Sequence, residues 1–138
     1  MKKYKIAWLP GDGIGTELSV LAKKVLDVLQ LGVEYVNADI GWEFWKKEGN
    51  PLPSRTIKVL NETDCGFLVS ITSKSNDDAQ LELNNELKNL NLKYISPIVQ
   101  LRKKFQLHTN IRPCFSFSGN INNLKENIDL VIFRENTE

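Results

Sequence analysis

Apolar residues recur along the chain in two periods that take turns, one suited to strands and one to helices. Lys5 to Pro10 forms a compact apolar run that ends at a glycine-rich turn, which predicts a strand. Leu18, Leu21, Ala22, Val25, Leu26, Val28 and Leu29 then recur at helical spacing, with Thr16 as the expected cap. Gly32 closes that helix, and Val33 to Ala38 predicts a second strand. A short aromatic helix (Trp42, Phe44, Trp45), a Gly-Asn-Pro turn and a helix opening at Ser54 follow. Gly66 to Ile71 is uninterrupted apolar sequence, as expected of a strand buried on both faces. An amphipathic helix is expected over 78–90. A further helix should start at Ser96-Pro97, with serine at the cap and proline at the first helical position, and fade near Phe105. Leu107 to Phe117 reads as extended, and Asp129 to Phe133 as a last strand. Strands alternating with helices imply an α/β fold: a mostly parallel sheet with flanking helices. The last strand runs straight into Arg134–Glu138 without a covering helix, so the domain is expected to be incomplete.

Composition narrows the functional classes. The 138 residues suffice for one domain with a real core, and 41% hydrophobic with 25% charged residues is a globular balance. A net charge of +1 gives no electrostatic reason to expect nucleic acid or an anionic membrane. No apolar run approaches the roughly 20 residues of a membrane span. The opening MKKYKIAWLPGDG reads as strand and turn rather than signal peptide. Cys65 and Cys114 lack metal-ligand spacing and sit in apolar stretches, so they are expected to be reduced core thiols in a cytoplasmic protein. His108, the single histidine, is read as a packing or surface residue rather than a general base.

Two features carry candidate chemistry. The first is LPGDGIGTE, residues 9–17. A dinucleotide fingerprint needs G-x-G-x-x-G, but Gly11 and Gly13 are followed by Thr16 where the third glycine belongs, and glycine falls at 15 instead. Asp12 would also place a negative charge inside a loop meant for a pyrophosphate, so an ordinary Rossmann turn does not fit. The second feature is the series Arg102, Arg112 and Arg134, the last two on expected strands. Guanidinium forks suit bidentate capture of carboxylates. Spacing alone equally allows a solvated helix residue at Arg102 and an ion pair from Arg134 to Glu135 or Glu138.

Taken in order, LPGDGIGTE, ITSK (71–74), SPIVQLRK (96–103), NIRP (110–113) and RENTE (134–138) resemble the isocitrate/isopropylmalate dehydrogenase family. The likeness spans essentially the whole chain. It implies an NAD- or NADP-dependent, Mg²⁺- or Mn²⁺-requiring enzyme that oxidises the hydroxyl of a 2-hydroxy acid and releases CO₂. Isocitrate leads as substrate, with homoisocitrate and 3-isopropylmalate as alternatives. The resemblance further implies that Ser96, Arg102, Arg112 and Arg134 bind substrate. Gly13, Ile14, Thr72, Ser73, Asn136 and Glu138 are implied to lie by the cofactor. It places residues 1–105 in the first part of a large domain and 106–138 at the start of a small one.

The chain also departs from the family pattern. The asparagine two residues after the serine in isocitrate-specific members is Ile98, and Ser96 also has a structural role open to it as a helix cap. The usual Tyr-Ala before Asn-Arg-Pro is His108-Thr109. The stretch 75–93 is longer than in many relatives. The catalytic tyrosine, the catalytic lysine and the metal-binding aspartates of the family all fall after RENTE, so no catalytic and no metal-binding residue is expected within the chain. A truncated form without its own turnover is the leading expectation. The alternative is a non-catalytic regulatory subunit that binds a carboxylate ligand or a full-length partner, and a homodimer is a further expected partner state.

Overall fold

The computed structural model describes residues 3–136. The elements run β1 (Tyr4–Gly11), α1 (Ile14–Val28), β2 (Val33–Asn37), α2 (Trp42–Glu48), α3 (Ser54–Asn61), β3 (Cys65–Ser70), α4 (Asn76–Glu82), a 3₁₀ turn (Asn85–Leu90), α5 (Pro97–Lys104), β4 (Thr109–Phe115) and β5 (Asp129–Glu135). They fall into two compact units, residues 1–97 and 98–138.

In the first unit three parallel strands stand in the order β2-β1-β3. Central β1 carries the core, with Ala7, Trp8 and Leu9 buried. Trp8 stacks on Phe67, its direct register partner on β3, at 4.8 Å between ring centroids, and meets the Tyr35 edge at 5.3 Å. Helix α1 turns small residues toward the sheet, with Gly15 and Ser19 buried. Its larger apolar residues, Ile14, Leu18, Leu21, Val25 and Val28, form an exposed stripe at alternating four- and three-residue steps. A second core gathers Trp42, Trp45, Ala79, Leu83 and Tyr94, flanked by Leu87 and Leu92. Both indole N–H groups there are satisfied: Trp45 donates to the Ala79 carbonyl (2.7 Å) and Trp42 to the Glu82 carboxylate (2.7 Å).

The second unit holds most of α5 and an antiparallel ribbon of β4 and β5, registered from Thr109 opposite Glu135 to Phe115 opposite Asp129. Every residue of β5 is exposed.

Several sequence expectations need correction. The helix expected over 78–90 is two pieces, because Leu83 is extended and the Asn84 side chain accepts the Glu86 N–H (3.3 Å) to start a new turn. Thr16 caps nothing: α1 begins at Ile14 behind Gly13, with no side-chain cap. Strand β3 is half-buried at best rather than covered on both faces, since it stands at the edge of the described sheet. Cys65 and Cys114 are free thiols as expected, but both are exposed. Each sits on a strand whose flank is open among the described residues.

Candidate functional site at the carboxyl edge of the sheet

Strand order decides where a ligand can approach. The chain leaves β1 toward β2 on one side and returns as β3 on the other, so the sequence of strands reverses between β1 and β3. Open α/β sheets bind ligands at the carboxyl ends of such a switch. The two segments meeting there are the turn after β1 and the exit from β3, residues 11–14 and 71–74.

The structure brings Gly13 and Thr72 together. Gly13 has φ +55°, and a Cβ built on it would lie 3.3 Å from Thr72 Oγ1, a gap that glycine leaves open. Ile14 is exposed at the first helical position, and Ser73 is exposed next to half-buried Thr72. The first amides of α1 are already used, with Gly15 N–H donating to the Asp12 carbonyl (2.9 Å) and Thr16 N–H to that of Gly13 (3.3 Å). The turn thus closes these two amides on its own carbonyls rather than presenting them as a pyrophosphate cradle.

Asp12, which looked misplaced in sequence, is turned inward and buried. Its carboxylate accepts the Thr72 N–H (2.6 Å) and the Trp42 N–H, while its own N–H donates to the Ser70 carbonyl (3.2 Å). Beside it, Lys74 donates to Glu82 and lies 5.2 Å over the Trp42 ring. The hydrogen bond to Glu82 holds the Lys74 ammonium above its ordinary range, and those from Lys74 and then Trp42 hold the Glu82 carboxyl below its own. Sequence reasoning missed both Asp12 and the Lys74–Glu82 pair, because their partners lie 8 to 60 residues away.

In the second unit the ribbon register fixes two arginines. Arg134 stands directly opposite Asn110, and Arg112 lies two residues along the same strand from Asn110. Residues i and i+2 share a face, so Arg112 and Arg134 project from one face as diagonal neighbours, about 7–8 Å apart at that position. Arg112 Nε donates to Asn110 Oδ1 (3.0 Å), which leans its side chain toward the Asn110–Arg134 pair and leaves its terminal nitrogens free of described partners. Arg134 has no ion pair among the described residues. Arg102 is half-buried on α5, and its carbonyl accepts the Leu107 N–H (2.9 Å). Asn136 N–H donates to the carbonyl of His108, just before β4 (2.9 Å), and the exposed His108 ring sits 3.0 Å from the Gln106 carbonyl. Ser96 is half-buried just before α5. Glu138 lies outside the described residues. A hollow of about 380 Å³ flanked by Trp8, Lys23, Asp27 and Asn37 contains none of the expected site residues. No group of three or more His, Cys, Asp or Glu able to hold a metal exists among the described residues. No described helix is long and apolar enough to cross a membrane.

Comparison with known proteins gives the class and then the family. The sequence matches the isocitrate/isopropylmalate dehydrogenase family over residues 5–138, a class of oxidative decarboxylating dehydrogenases. The chain belongs to that family. It is 46% identical over 134 residues to Protein DlpA of Legionella pneumophila, covering 97% of this chain and 21% of that protein. It is 39% identical over 144 residues to homoisocitrate dehydrogenase of Methanocaldococcus jannaschii, covering 97% of this chain and 38% of that enzyme. The crystal structure of isocitrate dehydrogenase from Methylococcus capsulatus superposes with a TM-score of 0.75 at 30% identity, covering 98% of this chain and 35% of that one. The chain thus spans between a fifth and two fifths of the length of these relatives. Enzymes of the family use NAD(P) and a divalent metal on small hydroxy acids.

Proposed function

We propose that this chain supplies the carboxylate-gripping face and one cofactor edge of an NAD(P)-dependent oxidative decarboxylase of a 2-hydroxy acid. Isocitrate is the leading substrate, and homoisocitrate and 3-isopropylmalate are the alternatives. The observation that carries the reading is the shared face of Arg112 and Arg134, two forks with a common neighbour in Asn110. Arg102 and Ser96 complete the substrate set in this proposal. Residues 1–105 form the first part of the large domain and 106–138 the start of the small one.

Gly13, Ile14, Thr72 and Ser73 are the residues that would hold the cofactor, and Asn136 and Glu138 of the motif after Arg134 complete the cofactor set in this proposal. The reading is supported by the closeness of the two segments, since a Cβ at Gly13 would lie only 3.3 Å from Thr72 Oγ1. When bound, NAD(P) supplies hydride acceptance. The chain's own contribution is electrostatic and geometric: the arginines neutralise and orient the carboxylates, holding the reacting carbon in place. The described residues gather no group of three or more His, Cys, Asp or Glu, so metal ligands would have to come from outside them. By itself the 138-residue chain is proposed to have no turnover and to work, in a cytoplasmic setting, only with the rest of a family active site.

The test is titration of the purified chain with each of the three acids, followed by the side-chain resonances of Arg112 and Arg134. Both should shift with one acid, with Arg112→Ala or Arg134→Ala abolishing the response, while no NAD(P)H forms with any of them when NAD(P)⁺ and Mg²⁺ are added. Turnover by the chain alone would refute the inactive-fragment reading. Silence at both arginines would refute the clamp.

A further inference from the structure

We propose that Asp12 is the positioning residue of the cofactor edge: its inward carboxylate sets the Thr72 backbone against the Gly13 turn and locks both to the start of α2. The inference rests on the reading of Gly13, Ile14, Thr72 and Ser73 as that edge, and concerns what holds it in shape.

Two segments far apart in sequence, around residues 42 and 72, converge on one carboxylate. Thr72 N–H donates to Oδ1 at 2.6 Å, Trp42 N–H donates to Oδ2, and the Asp12 N–H returns to the Ser70 carbonyl at 3.2 Å. Asp12 is 4% exposed, so these donors stand in for water, and a buried carboxylate without them would be costly. A second observation is independent of the hydrogen bonds. Gly41, just before α2, has φ +115°, and a Cβ built on it would overlap Asp12 Oδ2. The residue at 41 is thus matched to the carboxylate at 12. The same α2 start leads into the Trp42–Trp45–Tyr94 cluster, and Tyr94 lies two residues before Ser96. Asp12 therefore links the glycine turn and the Thr72 segment, and touches the core from which the chain leaves toward Ser96.

The experiment is residue-resolved amide hydrogen exchange on the 138-residue chain, in the wild type, Asp12→Asn, Gly41→Ala and the double variant. Asparagine keeps the shape of aspartate but has one acceptor oxygen instead of two. The Thr72 or Trp42 amide should exchange at least tenfold faster in Asp12→Asn, while Ala7 and Leu9 on β1 keep wild-type rates. Gly41→Ala should speed exchange at Thr72, although the substitution is 31 residues away, and the double variant should add nothing further. Wild-type rates at both amides in Asp12→Asn, additive effects in the double variant, or equal acceleration along β1 would each overturn the proposal. Should Asp12→Asn not fold, the wild type and Gly41→Ala decide: an unprotected Thr72 amide in the wild type, or no response at Thr72 to Gly41→Ala, overturns it.

Addition of millimolar NAD⁺ separates this proposal from the cofactor reading. Shifts at Gly13, Thr72 and Ser73 in the wild type that vanish in Asp12→Asn support both. Loosening of Thr72 without any NAD⁺ response in the wild type supports the positioning role of Asp12 and refutes the cofactor edge. An unchanged NAD⁺ response in Asp12→Asn refutes that role.

Discussion

Tyr94 shows how a single atom can sit against the rest of a core. Its ring meets Trp42 and Trp45 edge-on at 5.0 and 5.3 Å, yet its hydroxyl is buried with no hydrogen-bond partner among the described residues. Burial, and then the Asp12 charge, pushes the phenol above its ordinary range. An unpaired buried hydroxyl costs about 1–3 kcal/mol, so Tyr94→Phe should leave stability unchanged or raise it by up to about 1 kcal/mol in urea denaturation. A loss above about 1 kcal/mol would show that the hydroxyl has a partner after all. The Lys74–Glu82 pair makes a pH prediction instead. Glu82 is lowered in the folded state, so its contribution is present above the unfolded carboxyl value and fades as pH falls through the folded one. Lys74 is raised, so its contribution is full below the unfolded lysine value and fades as pH rises through the folded one. Thermal melts should therefore show Glu82→Gln flattening the acid limb and Lys74→Met the alkaline limb; unchanged limbs would mean that the exposed pair contributes nothing. None of these partners could be read from the sequence, where Asp12 looked like a misplaced charge in a phosphate loop. The arginines were legible because the strand period alone assigns Arg112 and Arg134 to faces; that they share one needed the register.

At the scale of elements, period and turn chemistry located all five strands and most helices, because apolar spacing gives the type of each element and the turn residues give its ends. The failures have local causes. Asn84 supplies a competing side-chain acceptor that ends α4 early, and no periodicity over 78–90 reveals it. Helix α1 was found from the spacing of its large apolar residues, yet the face it buries is the small one. Its closeness to the sheet rests on Gly15, where a Cβ would overlap the carbonyl oxygens of Pro10 and Ser70. Gly15→Ala should cost roughly 1–3 kcal/mol by overpacking. Leu21→Lys and Val25→Lys, both on the exposed stripe, should change the urea midpoint by no more than about 0.5 kcal/mol equivalent. A reversed ranking, with the lysine variants the more damaging, would mean that the stripe is covered in the folded chain.

Over the whole molecule the two units are unequal in what they bury. The first has a central strand with Ala7, Trp8 and Leu9 nearly inaccessible and a second aromatic core. The second rests on a two-stranded ribbon whose β5 residues are all exposed, including Phe133 at 68% and Ile132 at 50%. Two strands without a covering layer are marginally stable in water, and local opening follows the lack of buried contacts. Amides of β4 and β5 should therefore exchange at least tenfold faster than those of β1, and unfolding should not be two-state. The proposed carboxylate clamp lies in this weaker unit, so a ligand that grips Arg112 and Arg134 should protect the ribbon selectively. At a hundred times its dissociation constant it would add about 2.7 kcal/mol to that unit and leave β1 unchanged. Equal protection of β1 and β5 in the free chain would refute the unequal division. A ligand that slowed exchange in β1 but not in the ribbon would place the binding energy away from the arginines.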